Sequence, residues 1–150
     1  MTTPIMSMAG AAARVRAARF RQGTSWAAIA RALDAPLVWT TAALVGQHPM
    51  TAEQAQTACA LLGLDDVAAE ALQQQPARGI DPALLGDPTI YRFSEALAVH
   101  GPALKELVHE ESGDGIMSAI DFSVDVARRP HPDGDRVVVT FDGEFLDHRW

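Results

Sequence analysis

Phe122-Ser123-Val124-Asp125-Val126-Ala127, a middle segment Arg128-Arg129-Pro130-His131-Pro132-Asp133-Gly134-Asp135, and Arg136-Val137-Val138-Val139-Thr140-Phe141 together decide the fold. The first six residues alternate apolar and polar, the period of a strand with one covered face. The last six are mostly β-branched and aromatic, a composition that suits a pleated, half-buried surface. Two prolines and an Asp-Gly step between them mark a turn-rich loop. The spacing predicts a β-hairpin. A two-stranded hairpin alone is marginal in water, so it must pack on helices or pair with a second subunit.

Upstream of the hairpin the chain reads as helix. Residues 9–21 are rich in alanine and arginine, and Gly23 ends them. Thr24 and Ser25 offer N-caps for a second helix, Trp26 to Leu33, with Trp26, Ile29, Ala30 and Leu33 on one face. Ala35-Pro36 opens a third, Leu37 to Val45, which ends at Gly46. Thr51 with Glu53-Gln54 opens a fourth that stops near Gly63, and Asp65-Asp66 caps a fifth running through Gln74. Residues 76–88, punctuated by Pro76, Gly79, Pro82, Gly86 and Pro88, read as a linker or extended crossing segment. Thr89 to His100 and Ala103 to Glu111 read as two further helices separated by Gly101-Pro102. The expected class is α+β. A helical bundle at residues 1–80, resembling a helix-turn-helix (lambda-repressor-like) domain, precedes a helix-plus-hairpin domain at 81–150, to which the resemblance described below assigns catalysis and oligomerisation.

The chain has 150 residues, 48% of them apolar, and a net charge of −7. That is long enough to bury a core and too apolar for a disordered segment. The charge is uneven: residues 1–50 hold five arginines and one acid, Asp34. A molecule so acidic overall is not expected to bind polyanions strongly. One cysteine, Cys59, cannot form an internal disulfide, and its apolar helical neighbours make it a core residue. No signal-peptide pattern and no run of about 18 apolar residues is present. The expected setting is cytoplasmic, with no membrane partner. The five histidines, at 48, 100, 109, 131 and 148, show no ligand spacing of the His-x-x-x-His kind, so no metal is expected. His100 and His109 read as helix-end or interface residues.

The second and third helices have helix-turn-helix length, which makes a DNA-binding regulator the rival reading. The candidate recognition helix, Leu37 to Val45, has no charged residue, and no Asn or Gln until Gln47. Base readout needs such groups, and phosphate contacts need clustered Arg or Lys, of which only Arg31 is near. Nucleic acid is therefore not an expected partner.

Three segments carry candidate chemistry: Asp87-Pro-Thr-Ile-Tyr-Arg92-Phe-Ser-Glu95, Leu104-Lys-Glu-Leu-Val-His109-Glu, and Gly113-Asp-Gly-Ile-Met-Ser118-Ala-Ile-Asp-Phe122. Arg92 and Glu95, three apart on a helix, share a face. They form either a surface ion pair or an anion-binding arginine steered by a carboxylate. Ser118 follows a Gly-x-Gly step. It is either a cap or strand-entry residue, or a hydroxyl brought to a small ligand by flexible backbone.

In order and spacing, these segments closely resemble the cyanase (cyanate hydratase) family. Thr41 to Gln47 resembles that family's third-helix segment, Pro76 to Gly79 its interdomain stretch, and Phe141 to Leu146 its C-terminal end, so the likeness runs from about residue 12 to 146. The resemblance implies a lyase that uses bicarbonate to convert cyanate to ammonia and carbon dioxide through carbamate. It implies a homodecamer built from dimers, active sites between subunits and no cofactor. It places the catalytic arginine, glutamate and serine on Arg92, Glu95 and Ser118. Retention of all three argues against an inactive homologue serving only assembly. Two departures stand beside the likeness: Ser94 where the family usually has tyrosine, and Glu111-Ser112 where it usually has lysine-phenylalanine.

Overall fold

The computed structural model describes residues 5–77, 79 and 81–148. Arg78 and Ile80 of the expected linker, and Arg149 and Trp150 of the divergent C-terminus, lie outside the described residues. The chain divides into two compact units, Met1–Arg78 with Val124–Thr140, and Gly79–Ser123 with Phe141–Trp150.

The first unit holds five helices: α1 Met8–Gln22, α2 Trp26–Leu33, α3 Leu37–Leu44, α4 Ala52–Leu62 and α5 Asp66–Ala71. Each start has a physical cause. Ser7, Ser25 and Asp65 accept hydrogen bonds from the backbone N–H three residues on, at Gly10, Ala28 and Ala68. Thr51 and Gln54 form a reciprocal capping box. Gly23 and Gly63 end α1 and α4 in the left-handed region, each at φ 66°, where a Cβ is penalised. The helix read through Gln74 stops instead at Ala71, and the Leu72 carbonyl accepts from Met50 N–H at 2.9 Å.

The core of this unit is built from Ala11, Val15, Ile29, Leu44, Ala58, Leu62 and Leu72 among others, with Trp26 and Leu33 partly buried against it. Cys59 lies in it as expected, and burial pushes its thiol above the usual range. Arg14 of α1 holds Asp65 at the start of α5 through two hydrogen bonds of 2.9 and 3.1 Å. That pairing, followed by the Ala68 N–H, holds the Asp65 carboxyl below its ordinary range. The Arg19 guanidinium lies 4.5 Å from the centre of the Trp26 ring.

The second unit begins with a 3-10 turn, Pro82–Gly86, where a linker was expected. A single 25-residue helix follows, α6 Pro88–Ser112. The expected break at Gly101-Pro102 does not occur. A proline inside a helix removes one hydrogen bond and strains one turn, at about 3 kcal/mol, and here both ends are well fixed. Asp87 accepts from the Thr89 and Ile90 N–H groups at 2.8 and 3.0 Å. Gly113, at φ 94°, closes the other end with its N–H on the His109 carbonyl.

The strands, β1 Gly115–Arg129 and β2 Arg136–Asp147, pair as a two-stranded sheet. They run well beyond the expected 122–127 and 136–141. The added parts, 115–121 and 142–147, lack a clean alternation and carry Gly115 and Gly143, so the period-two signal fades there. Near the turn Arg128 pairs with Asp135, and further down the strands the Phe122 and Phe141 rings lie 5.7 Å apart. Among the described residues, no helix is long and apolar enough to cross a membrane.

Candidate active site

All three expected site residues lie in the second unit. Arg92 and Glu95 sit in the first turns of α6, where the Asp87 cap and Pro88 fix the helix start. The Arg92 Nη1–H donates to Glu95 Oε2 at 2.8 Å, and 78% of the arginine side chain is exposed. The shared face is therefore real, and the carboxylate holds one edge of the guanidinium. Among the described residues no other hydrogen bond engages Arg92, and the bond to Glu95 uses one of its five donors. A planar cationic group with open donors is a form that suits an anion site.

Ser118 lies within β1, not in a loop, and is only 5% exposed. Its Oγ accepts from the N–H groups of Ile120 and Asp121, at 3.1 and 3.0 Å. Both lone pairs are thus engaged, and the hydroxyl proton is what remains to offer a ligand. The amides that converge on the serine are those of Ile120 and Asp121. The signal that points to them is the type of residue 118 itself, because a serine bonds readily to N–H groups two and three residues on. His109 reaches from the end of α6 to the Gly115 carbonyl, Nε2 to O at 3.3 Å. It ties the helix terminus to the start of β1, a helix-end role as expected.

The fold does not join the three residues directly. Among the described residues, no hydrogen bond or ion pair links Ser118 to Arg92 or Glu95. The helix supplies a cation and a carboxylate; the strand supplies a hydroxyl.

The family description "Cyanate lyase C-terminal domain" matches residues 82–150, and "Cyanate hydratase, N-terminal" matches residues 10–76. The chain is 58% identical to a cyanate hydratase of Mycolicibacterium vanbaalenii over 146 residues, covering 97% of this chain and 95% of that protein. The chain belongs to the cyanate hydratase family. Over 137 residues it is also 44% identical to a cyanate hydratase of Methylibium petroleiphilum, covering 91% of this chain and 93% of the relative. A crystal structure of cyanase from T. urticae superposes with a TM-score of 0.81 at 36% identity, covering 91% of this chain and 96% of the other. The α+β class read from the hairpin agrees with that neighbour. Cyanate hydratases are lyases, so the chain is an enzyme of that class.

Proposed function

We propose that this enzyme decomposes cyanate with bicarbonate as co-substrate, without metal or cofactor, at a site built from Arg92, Glu95 and Ser118. The observation that carries the reading is the state of Arg92: its guanidinium is held on one edge by Glu95, and among the described residues no other hydrogen bond engages it. Cyanate and bicarbonate are both monoanions. Bringing them together costs Coulomb energy, and a preorganised cation lowers that cost where the two charges meet.

In the proposed sequence a bicarbonate oxygen attacks the cyanate carbon, and the cyanate nitrogen receives two protons, the one bicarbonate itself carries and one taken up from solution. The former bicarbonate carbon then leaves as carbon dioxide when its bond to the bridging oxygen breaks, and carbamate remains. A further proton on the carbamate nitrogen releases ammonia and a second carbon dioxide. Holding two reactants in line supplies much of the acceleration. Arg92 binds the anions. Ser118, its oxygen already accepting from two amides, donates a hydrogen bond to one of the anions. Glu95 orients Arg92 or relays the protons.

One helix and one strand do not enclose such a pocket, and the reading includes a homodecamer of dimers with sites between subunits. Apolar exposure supports it: α6 has no buried residue, and Ile90, Phe93, Leu97 and Leu107 all face solvent in the single chain. A surface of this kind marks an interaction face. The cytoplasm is the proposed compartment, with neither nucleic acid nor membrane as partner. The lone Cys59 and the uncharged α3 support this.

The test is ammonia release from cyanate with and without bicarbonate. Release only with bicarbonate, unchanged by EDTA, is expected. Activity lost to EDTA and restored by zinc would refute the metal-free reading.

A further inference from the structure

Gly143 lies on β2 against the segment of β1 that carries Ser118. Its φ is outside the left-handed region, unlike that of Gly113 or Gly134. Backbone conformation is therefore not what asks for glycine here; space is. A Cβ at residue 143 would stand 2.5 Å from Met117 Cγ, 2.8 Å from the Ser118 carbonyl oxygen and 3.0 Å from Phe122 Cδ2. The three neighbours differ in what they can yield. Met117 is a flexible, half-exposed side chain that can swing away. Phe122 is tilted against Phe141 and has a ring edge to turn. The Ser118 oxygen is backbone, and it can retreat only if residue 118 moves. Three residues earlier the same device recurs: a Cβ on Gly115 would overlap the Leu146 carbonyl and the Phe145 ring.

We propose that Gly143 is a positioning residue for Ser118: its missing side chain lets β2 close on the Ser118 carbonyl and so sets where the hydroxyl stands. The inference rests on the reading of Ser118 as a group that touches substrate. A shift at residue 118 would also disturb the two hydrogen bonds from Ile120 and Asp121 to its Oγ. Small misplacements of a reacting or binding group are costly in rate.

A double-mutant cycle separates this role from a structural one. The parent, Gly143→Ala, Ser118→Ala and the double variant are compared by kcat/KM for cyanate at saturating bicarbonate, with assembly checked by light scattering. If Gly143 acts through Ser118, Gly143→Ala should lower kcat/KM by about 10–100-fold in the parent, and by no measurable factor in the Ser118→Ala background. The same loss in both backgrounds overturns the proposal, as does Gly143→Ala at parent activity. If Ser118→Ala itself runs at the parent rate, the assignment of Ser118 falls and takes this inference with it. Should Gly143→Ala fail to fold, the cycle is run on Met117→Ala/Gly143→Ala, which removes the side-chain overlap and keeps the carbonyl contact. If that chain also fails to fold, the contact shapes the sheet and not the serine, and the proposal is wrong.

Discussion

Between Met8 and Leu72 the chain closes a core in which Ile29, Leu44, Leu62 and Leu72 are fully buried; the described residues from Pro82 onward bury no hydrophobic side chain. The two regions have similar lengths and were read from the same kinds of signal. They differ in where their stabilisation comes from. The bundle takes it from helix faces that meet inside one chain, as the α2·α3 and α4·α5 packing illustrates. The region carrying Arg92 and Ser118 has its helix ends and strand pairing in order, yet lacks the buried apolar area that usually dominates stability. The lesson is that local signals set the shape of both regions, while only the first is a finished hydrophobic object as a single chain. The second leaves apolar side chains exposed in the single chain; if other copies cover them, as proposed above, its stability should depend on protein concentration.

The sharpest way to use this contrast is to damage function in the second region without touching the first. Arg92→Lys keeps the charge but loses the planar fork that can hold an anion at two points. Loss of most cyanate turnover is expected, with assembly and the melting of the bundle unchanged. Parent-like turnover would return the Arg92–Glu95 contact to the status of a surface ion pair. In the same assay Ser118→Ala should cost on the order of 10–1000-fold, as for one lost oxyanion-type donor.

The converse experiment damages the bundle. Ile29→Ala removes a fully buried side chain and should destabilise it by about 2–5 kcal/mol, read by urea unfolding followed by circular dichroism. On α6, Leu104→Ser/Leu107→Ser should do the reverse. It should shift light scattering toward smaller species and leave the bundle's own transition in place. If the double serine variant assembles like the parent, the exposed side of α6 is not an interface, and the contrast between the regions is overdrawn.

The smallest effect expected is electrostatic. Asp65 is held below its ordinary pKa of 3.8 by Arg14 first and the Ala68 N–H next. A depressed carboxylate stabilises the fold above its unfolded pKa, and that contribution is lost as pH falls through the lower folded value. Asp65→Asn should therefore be less stable than the parent near neutrality, and the gap should close in acid below about pH 4. The pair is exposed, so the difference should be small. A gap that widens in acid would contradict the sign.

How far the sequence foretold these structures follows the same division. The bundle was legible because caps, periodicity and left-handed glycines are local: Ser25, Thr51 and Gly63 do in the structure what their residue types suggest. The continuity of α6 through Pro102 was not legible, because a proline's local penalty says nothing of what the rest of the helix gains. The full length of the strands escaped for a related reason. Residues 115–121 break the alternation, and the close approaches of Gly115 and Gly143 are facts about pairs of strands. The identities of Arg92, Glu95 and Ser118 came from a resemblance, whereas the engagement of the Ser118 oxygen by two amides came only from coordinates.

Cys59 has a practical consequence. It is the one thiol in the sequence, sits 3% exposed inside the bundle, and burial disfavours its thiolate. Since the thiolate is the reactive species, an alkylating reagent should label the native enzyme only when the five helices part. The rate of labelling is then a built-in clock for opening of the bundle. It can be read in the same sample, at the same time, as a light-scattering trace of the proposed assembly.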